Sequence, residues 1–129
     1  MENIVLEANM EQFTPFVYLN ARTGVCEISG ESYLEKTYAF YDPLYVWLNE
    51  YTTAVRKPIT MNFKLRYMNT SSSKCILMML KILKDYQLQG GQVTVNWYIK
   101  KEDEVMFEEV EDLKEEAEMT INIIQVDAL

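Results

Sequence analysis

Histidine is absent from all 129 residues. Its absence excludes Ser-His and Cys-His nucleophile activation, imidazole acid-base work, His-ligated zinc and phosphotransfer through histidine. Glycine and proline are scarce, at four and three, which argues against disordered tracts. There is no G-x-G-x-x-G, P-loop or EF-hand pattern. The pair Gly90-Gly91 falls between a helical and a strand-like run, where a helix C-cap is the ordinary reading. Nothing in the sequence holds a cofactor or a nucleotide.

The only two cysteines, Cys26 and Cys75, lie far apart within apolar-periodic segments and form no C-x-x-C motif. They read as reduced, buried small hydrophobes of a cytoplasmic protein rather than as a disulfide. Long apolar runs are missing too. No stretch approaches the roughly 18 apolar residues of a membrane span, and the segment Met1 to Glu7 carries acid where a signal peptide needs base. The expectation is a chain with no membrane partner.

Positive charge is in short supply, with 12 basic against 20 acidic residues and a net charge of -8. A nucleic-acid binder needs a clustered excess of Lys and Arg, so nucleic acid is excluded as a partner. The acid is concentrated. Residues 102–118 hold ten of the carboxylates against Lys114 alone, leaving 11 basic and 10 acidic residues elsewhere.

What is present is ordinary globular usage, 49% hydrophobic and 25% charged, in a length suited to one domain spanning residues 1–129. Residues 16–20 and 25–29 read as a hairpin turned at Gly24. From Tyr38, the side chains Phe40, Leu44, Trp47, Leu48, Tyr51 and Val55 recur at helical spacing, with Pro43 in or near the first turn. Past Pro58 the period becomes two, and Ile59, Met61, Phe63, Leu65 and Tyr67 define one buried face.

A second helix begins inside the Asn69 to Ser73 cluster and runs to Leu88, with Ile76, Met79, Leu80 and Leu83 on its core side. Val93, Val95, Trp97 and Ile99 form another strand. Glu104 to Met119 reads as an acidic helix whose core face is Val105, Phe107 or Met106, Val110, Leu113 and Ala117, and residues 121–126 form a last strand. The order is ββαβαβαβ, a mixed and mostly parallel sheet with helices mainly on one face.

Two clusters are candidates for chemistry. Glu102, Asp103, Glu104, Glu108 and Asp112 are spaced to meet in general acid-base or Mg²⁺ work, or to form a solvated helix face favoured by the helix dipole. The run Leu65 to Lys74 places hydroxyls where a strand meets a helix N-terminus, a position that tolerates an attached phosphate. Redundant capping is the plainer explanation from spacing alone, and spacing does not decide.

Three motifs carry a resemblance. Gly30-Glu31-Ser32-Tyr33-Leu34-Glu35, then Tyr67-Met68-Asn69-Thr70-Ser71-Ser72-Ser73-Lys74, then Val95-Asn96-Trp97-Tyr98 ahead of an acidic run, are similar to the successive signatures of the SiaC-type regulatory phosphoproteins. The resemblance spans most of the chain. It implies a STAS-like fold, akin to the anti-sigma factor antagonists, and a bacterial signalling role without catalysis of its own. It further implies that Thr70 (with Ser71 and Ser72 as the alternatives) is phosphorylated by a Ser/Thr protein kinase and dephosphorylated by a metal-dependent phosphatase. The unphosphorylated form would then bind an output protein such as a diguanylate cyclase. The chain departs from the family pattern at Leu34, where proline is usual, and at Ile99-Lys100-Lys101, where the continuation is usually more acidic. On the helical wheel Leu77 and Met78 fall outside the core face beside Lys74 and Lys81, so Asn69, Thr70, Ser71, Lys74, Leu77, Met78 and Lys81 make up the expected partner surface.

Overall fold

In a computed structural model, which describes residues 1–129, the chain forms one six-stranded sheet with strands in sequential order. Strands β1 (Ile4–Leu6), β2 (Phe16–Leu19) and β3 (Val25–Ser32) are antiparallel neighbours; β3, β4 (Ile59–Met68), β5 (Val93–Lys100) and β6 (Asn122–Val126) run parallel. Helices α1 (Thr37–Glu50), α2 (Thr70–Leu88) and α3 (Glu104–Ala117) make the three crossovers. Each crossover steps one strand in the same direction, so right-handed connections put all three helices on one face. The mostly parallel sheet agrees with the STAS-like expectation.

The burial pattern follows from this layering. Ile59, Met61, Phe63 and Leu65 of β4, and Val95, Trp97 and Ile99 of β5, turn toward the helices and are buried. They meet Leu44, Trp47 and Leu48 of α1, Ile76, Met79, Leu80 and Leu83 of α2, and Val110 and Leu113 of α3 in one cluster. The opposite face stays polar, with an amide ladder from Asn122 to Asn96 (3.0 Å) to Asn62 (2.9 Å) and a Lys64–Glu27 ion pair at 2.9 Å. Gly24, at φ +73°, turns the β2–β3 hairpin, and a side chain there would collide with the Pro58 carbonyl.

Several expectations need correction. The order is βββαβαβαβ, since a short edge strand β1 precedes the hairpin. It is only three residues long and carries no alternation, and the indole of Trp47 anchors the segment before it by donating to the Glu2 carbonyl at 2.9 Å. Within β4 the register shifts between Gly30 and Glu31 of β3, so that Arg66 is an extra residue. The bulge rotates the strand, and Met68 is buried where the period-two pattern had put Tyr67. On α3 the core face is Met106, Val110, Leu113 and Ala117; Val105 and Phe107 are exposed. Helix α1 continues through a π-helical turn at Tyr51–Val55, with Tyr41 rather than Phe40 in the deep core.

Candidate functional site

The carboxyl edge of the parallel sheet collects the helix starts, and the start of α2 is the most elaborately held. Asn69 is its N-cap, extended at φ -83° and ψ 175°. Its side-chain oxygen accepts from the Ser72 amide at 2.9 Å, and its amide nitrogen donates to the Leu34 carbonyl at 3.2 Å. The asparagine therefore caps the helix by itself. None of the following hydroxyls is needed for that task.

Those hydroxyls are sorted by depth. Ser72 is fully buried, accepting from Ser32 at 2.7 Å and donating to the Ser32 carbonyl at 2.9 Å. Since Ser32 gives its one proton to Ser72, the buried Tyr41 phenol 2.8 Å away must be the donor to Ser32. Burial pushes the Tyr41 phenol well above its ordinary pKa, with the Ser32 hydrogen bond opposing, so it keeps its proton. Ser71 is half-buried, 2.8 Å from the Thr37 hydroxyl and 3.2 Å from the Asn69 side-chain oxygen. Ser73 is half-buried. Thr70, the first residue of the helix, is exposed.

Of the expected partner surface, Asn69, Thr70, Lys74 and Leu77 line one groove of about 570 Å³ between α2 and α3. Ser71 turns away from it toward Thr37. Met78 and Lys81 are exposed farther along α2. Leu77, placed outside the core by the wheel, is half-buried and packs against the core.

Sequence reasoning missed the groove's other walls. Tyr33 and Tyr67 form one end, their rings 5.5 Å apart, and Glu109, Asp112 and Glu116 of α3 form the side facing Thr70. The bulge that exposes Tyr67 left no mark in the alternating pattern. Which acids of the 102–118 run face α2 follows only once Met106 and Val110 are known to point inward. Glu109 has its pKa raised, chiefly by burial and then by the carboxylates of Asp103 and Asp112. Of the acids spaced either for acid-base or Mg²⁺ work or for a solvated helix face, Asp103 caps α3 by accepting from the Met106 amide at 3.1 Å, Glu102, Glu104 and Glu108 are exposed, and Asp112 lines the groove. No three of the carboxylates or thiols converge as a metal-ligand set. Burial raises the pKa of both cysteine thiols, that of Cys26 to about 12, and no helix is long and apolar enough to cross a membrane.

Comparison with known proteins places the whole chain rather than its individual residues. The family model described as SiaC family regulatory phosphoprotein matches residues 8–126. An uncharacterised protein of Pseudomonas aeruginosa (strain UCBPP-PA14) is 26% identical over 105 residues, covering 81% of this chain and 83% of that one. The crystal structure of apo-SiaC from Pseudomonas aeruginosa superposes with a TM-score of 0.86 at 22% identity, over 96% of this chain and 99% of the other. SiaC from the same organism, in complex with the diguanylate cyclase SiaD that it activates, superposes at 0.88 with 23% identity, over 95% and 99%.

Proposed function

The chain belongs to the SiaC family of regulatory phosphoproteins, and from that premise we propose that it is a cytoplasmic protein-binding regulator switched by phosphorylation of Thr70. The observation that carries this reading is the sorting of the hydroxyls: Ser72 and Ser71 are engaged inside the fold, whereas Thr70 is exposed at a helix start already capped by Asn69. A kinase reaches Thr70 without unfolding anything. The partners are then a Ser/Thr kinase, a metal-dependent phosphatase and an output protein, for which a diguanylate cyclase is the first candidate because SiaC of Pseudomonas aeruginosa activates one. The chain contributes a surface rather than catalysis.

The switch is electrostatic. A phosphate on Thr70 adds about -1.5 to -2 charges beside the positive end of α2, where the helix dipole contributes roughly 0.3 to 1 kcal/mol in its favour, against repulsion from the carboxylates of Glu109, Asp112 and Glu116 across the groove. Lys74, one turn along the same face, helps to hold it. A partner packed over Thr70, Leu77 and Met78 would instead have to desolvate or displace the dianion. A penalty of only about 1.4 kcal/mol lowers affinity tenfold. Binding therefore responds to phosphorylation far more than folding does.

The test uses two variants with the cognate kinase and output protein. Thr70→Ala should lose labelling by the kinase and keep output binding, while Thr70→Asp should weaken binding, incompletely because it carries less charge than a phosphate. Undiminished labelling of Thr70→Ala would move the switch elsewhere. Output binding indifferent to both the modification and Thr70→Asp would make the chain a constitutive scaffold.

A further inference from the structure

Three aromatic side chains stand together on the surface beside Thr70. Phe13 meets Tyr33 edge-on with ring centroids 5.8 Å apart, and Tyr33 lies 5.5 Å from Tyr67. Their exposures are 45%, 50% and 49%, so half of each side chain faces solvent. The backbone fixes the ridge: the Tyr33 amide donates to the Phe13 carbonyl at 3.0 Å, and the β4 bulge turns Tyr67 out of the core. A contiguous exposed aromatic ridge of this kind marks an interaction surface.

Its charge selects the partner. The groove that runs from Tyr33 and Tyr67 past Thr70 and Leu77 carries the carboxylates of Glu109, Asp112 and Glu116 against the single ammonium of Lys74. Anionic lipid surfaces and nucleic acid are repelled by such a groove. A guanidinium or ammonium group gains twice, from the carboxylates and from the tyrosine faces. We infer that this groove receives a protein partner's segment in which apolar anchor side chains are flanked by arginine or lysine, the anchors seating on Tyr33, Tyr67 and Leu77 and the cations facing α3. The inference rests on the reading that the start of α2 is a partner surface, and it adds the aromatic ridge and the chemistry of the ligand.

The test titrates the unphosphorylated full-length chain, isotope-labelled for NMR, with two amphipathic peptides that share leucine anchors and differ only in bearing arginine or glutamate on the polar face. The arginine peptide should bind saturably, with amide shifts at Tyr33, Tyr67, Thr70 and Leu77, and more weakly as salt is raised. Its affinity should fall at least about tenfold in Tyr67→Ala and in Asp112→Lys, both substitutions at exposed positions that leave the core intact. The glutamate peptide should not bind. Failure of the arginine peptide to saturate, shifts that map to another face, or equal binding of the two peptides would overturn the inference. No kinase or phosphate enters this experiment, so its failure leaves the Thr70 switch standing, and failure of the switch leaves the groove standing.

Discussion

Ser72 and Thr70 are two residues apart and chemically near-equivalent, yet they have opposite environments. Removing the Ser72 hydroxyl strands the proton of Ser32 in a fully buried site and leaves the Ser32 carbonyl with only the Asn69 amide at 3.0 Å, so Ser72→Ala should cost about 1 to 3 kcal/mol. Thr70→Val, at an exposed position, should change stability by no more than about 0.5 kcal/mol. Urea denaturation of both variants checks the contrast, and equal losses would contradict the assignment of depth. The Asn69 to Ser73 cluster was legible in the sequence as a helix start, and the family resemblance singled out Thr70. The sorting of the hydroxyls was not legible, because the partner that buries Ser72 is Ser32, 40 positions away.

At the scale of elements, period explains both what was readable and what was not. The alternation of residues 59–65 and the helical stripe Ile76, Met79, Leu80 and Leu83 are local patterns, and each side chain is buried as its period requires. One inserted residue at Arg66 then exchanges Tyr67 for Met68, and a bulge leaves no trace in the residue types. Met68→Ala should therefore cost about 2 to 5 kcal/mol. Tyr67→Ala loses mainly its aromatic contact with Tyr33 and should cost at most about 1.5 kcal/mol. The reverse order in thermal or chemical denaturation would restore the unbroken alternation. On α3, an acidic helix offers few apolar positions from which to pick a core face, and Val105, apolar by type, lies on the outer face at 70% exposure.

The acids of α3 supply a pH prediction. Burial, then Asp103 and Asp112, raise the pKa of Glu109 in the folded chain. A carboxyl raised in the native state favours folding while protonated, and that contribution is lost as pH rises from the unfolded value, about 4.3, through the folded one. At neutral pH its charge is thus a liability. Glu109→Gln should be more stable than the parent at pH 7, by no more than about 0.5 kcal/mol because the side chain is only half-buried and screened by solvent, and the difference should vanish below about pH 4. A variant that is less stable at pH 7 would show Glu109 to be paired with a cation.

For the whole molecule, sequential strand order and right-handed crossovers bring the starts of α1, α2 and α3 to one edge of the sheet. That edge is where loops can vary without disturbing the core. The mostly parallel sheet was readable from the alternation of strands and helices. The edge strand β1 was not, because three residues set no period. The net charge of -8 was legible as well, but its direction was not: the acid faces Thr70 across a groove, so the proposed phosphate on Thr70 would deepen a negative surface instead of neutralising a positive one.

The most direct measurement is the position of the phosphate in cells where the pathway is active. Intact mass followed by phosphopeptide sequencing of the chain from its native host should show one added phosphate, located on Thr70. A phosphate on Ser71, Ser72 or Ser73, or none anywhere in residues 69–73, would contradict the account.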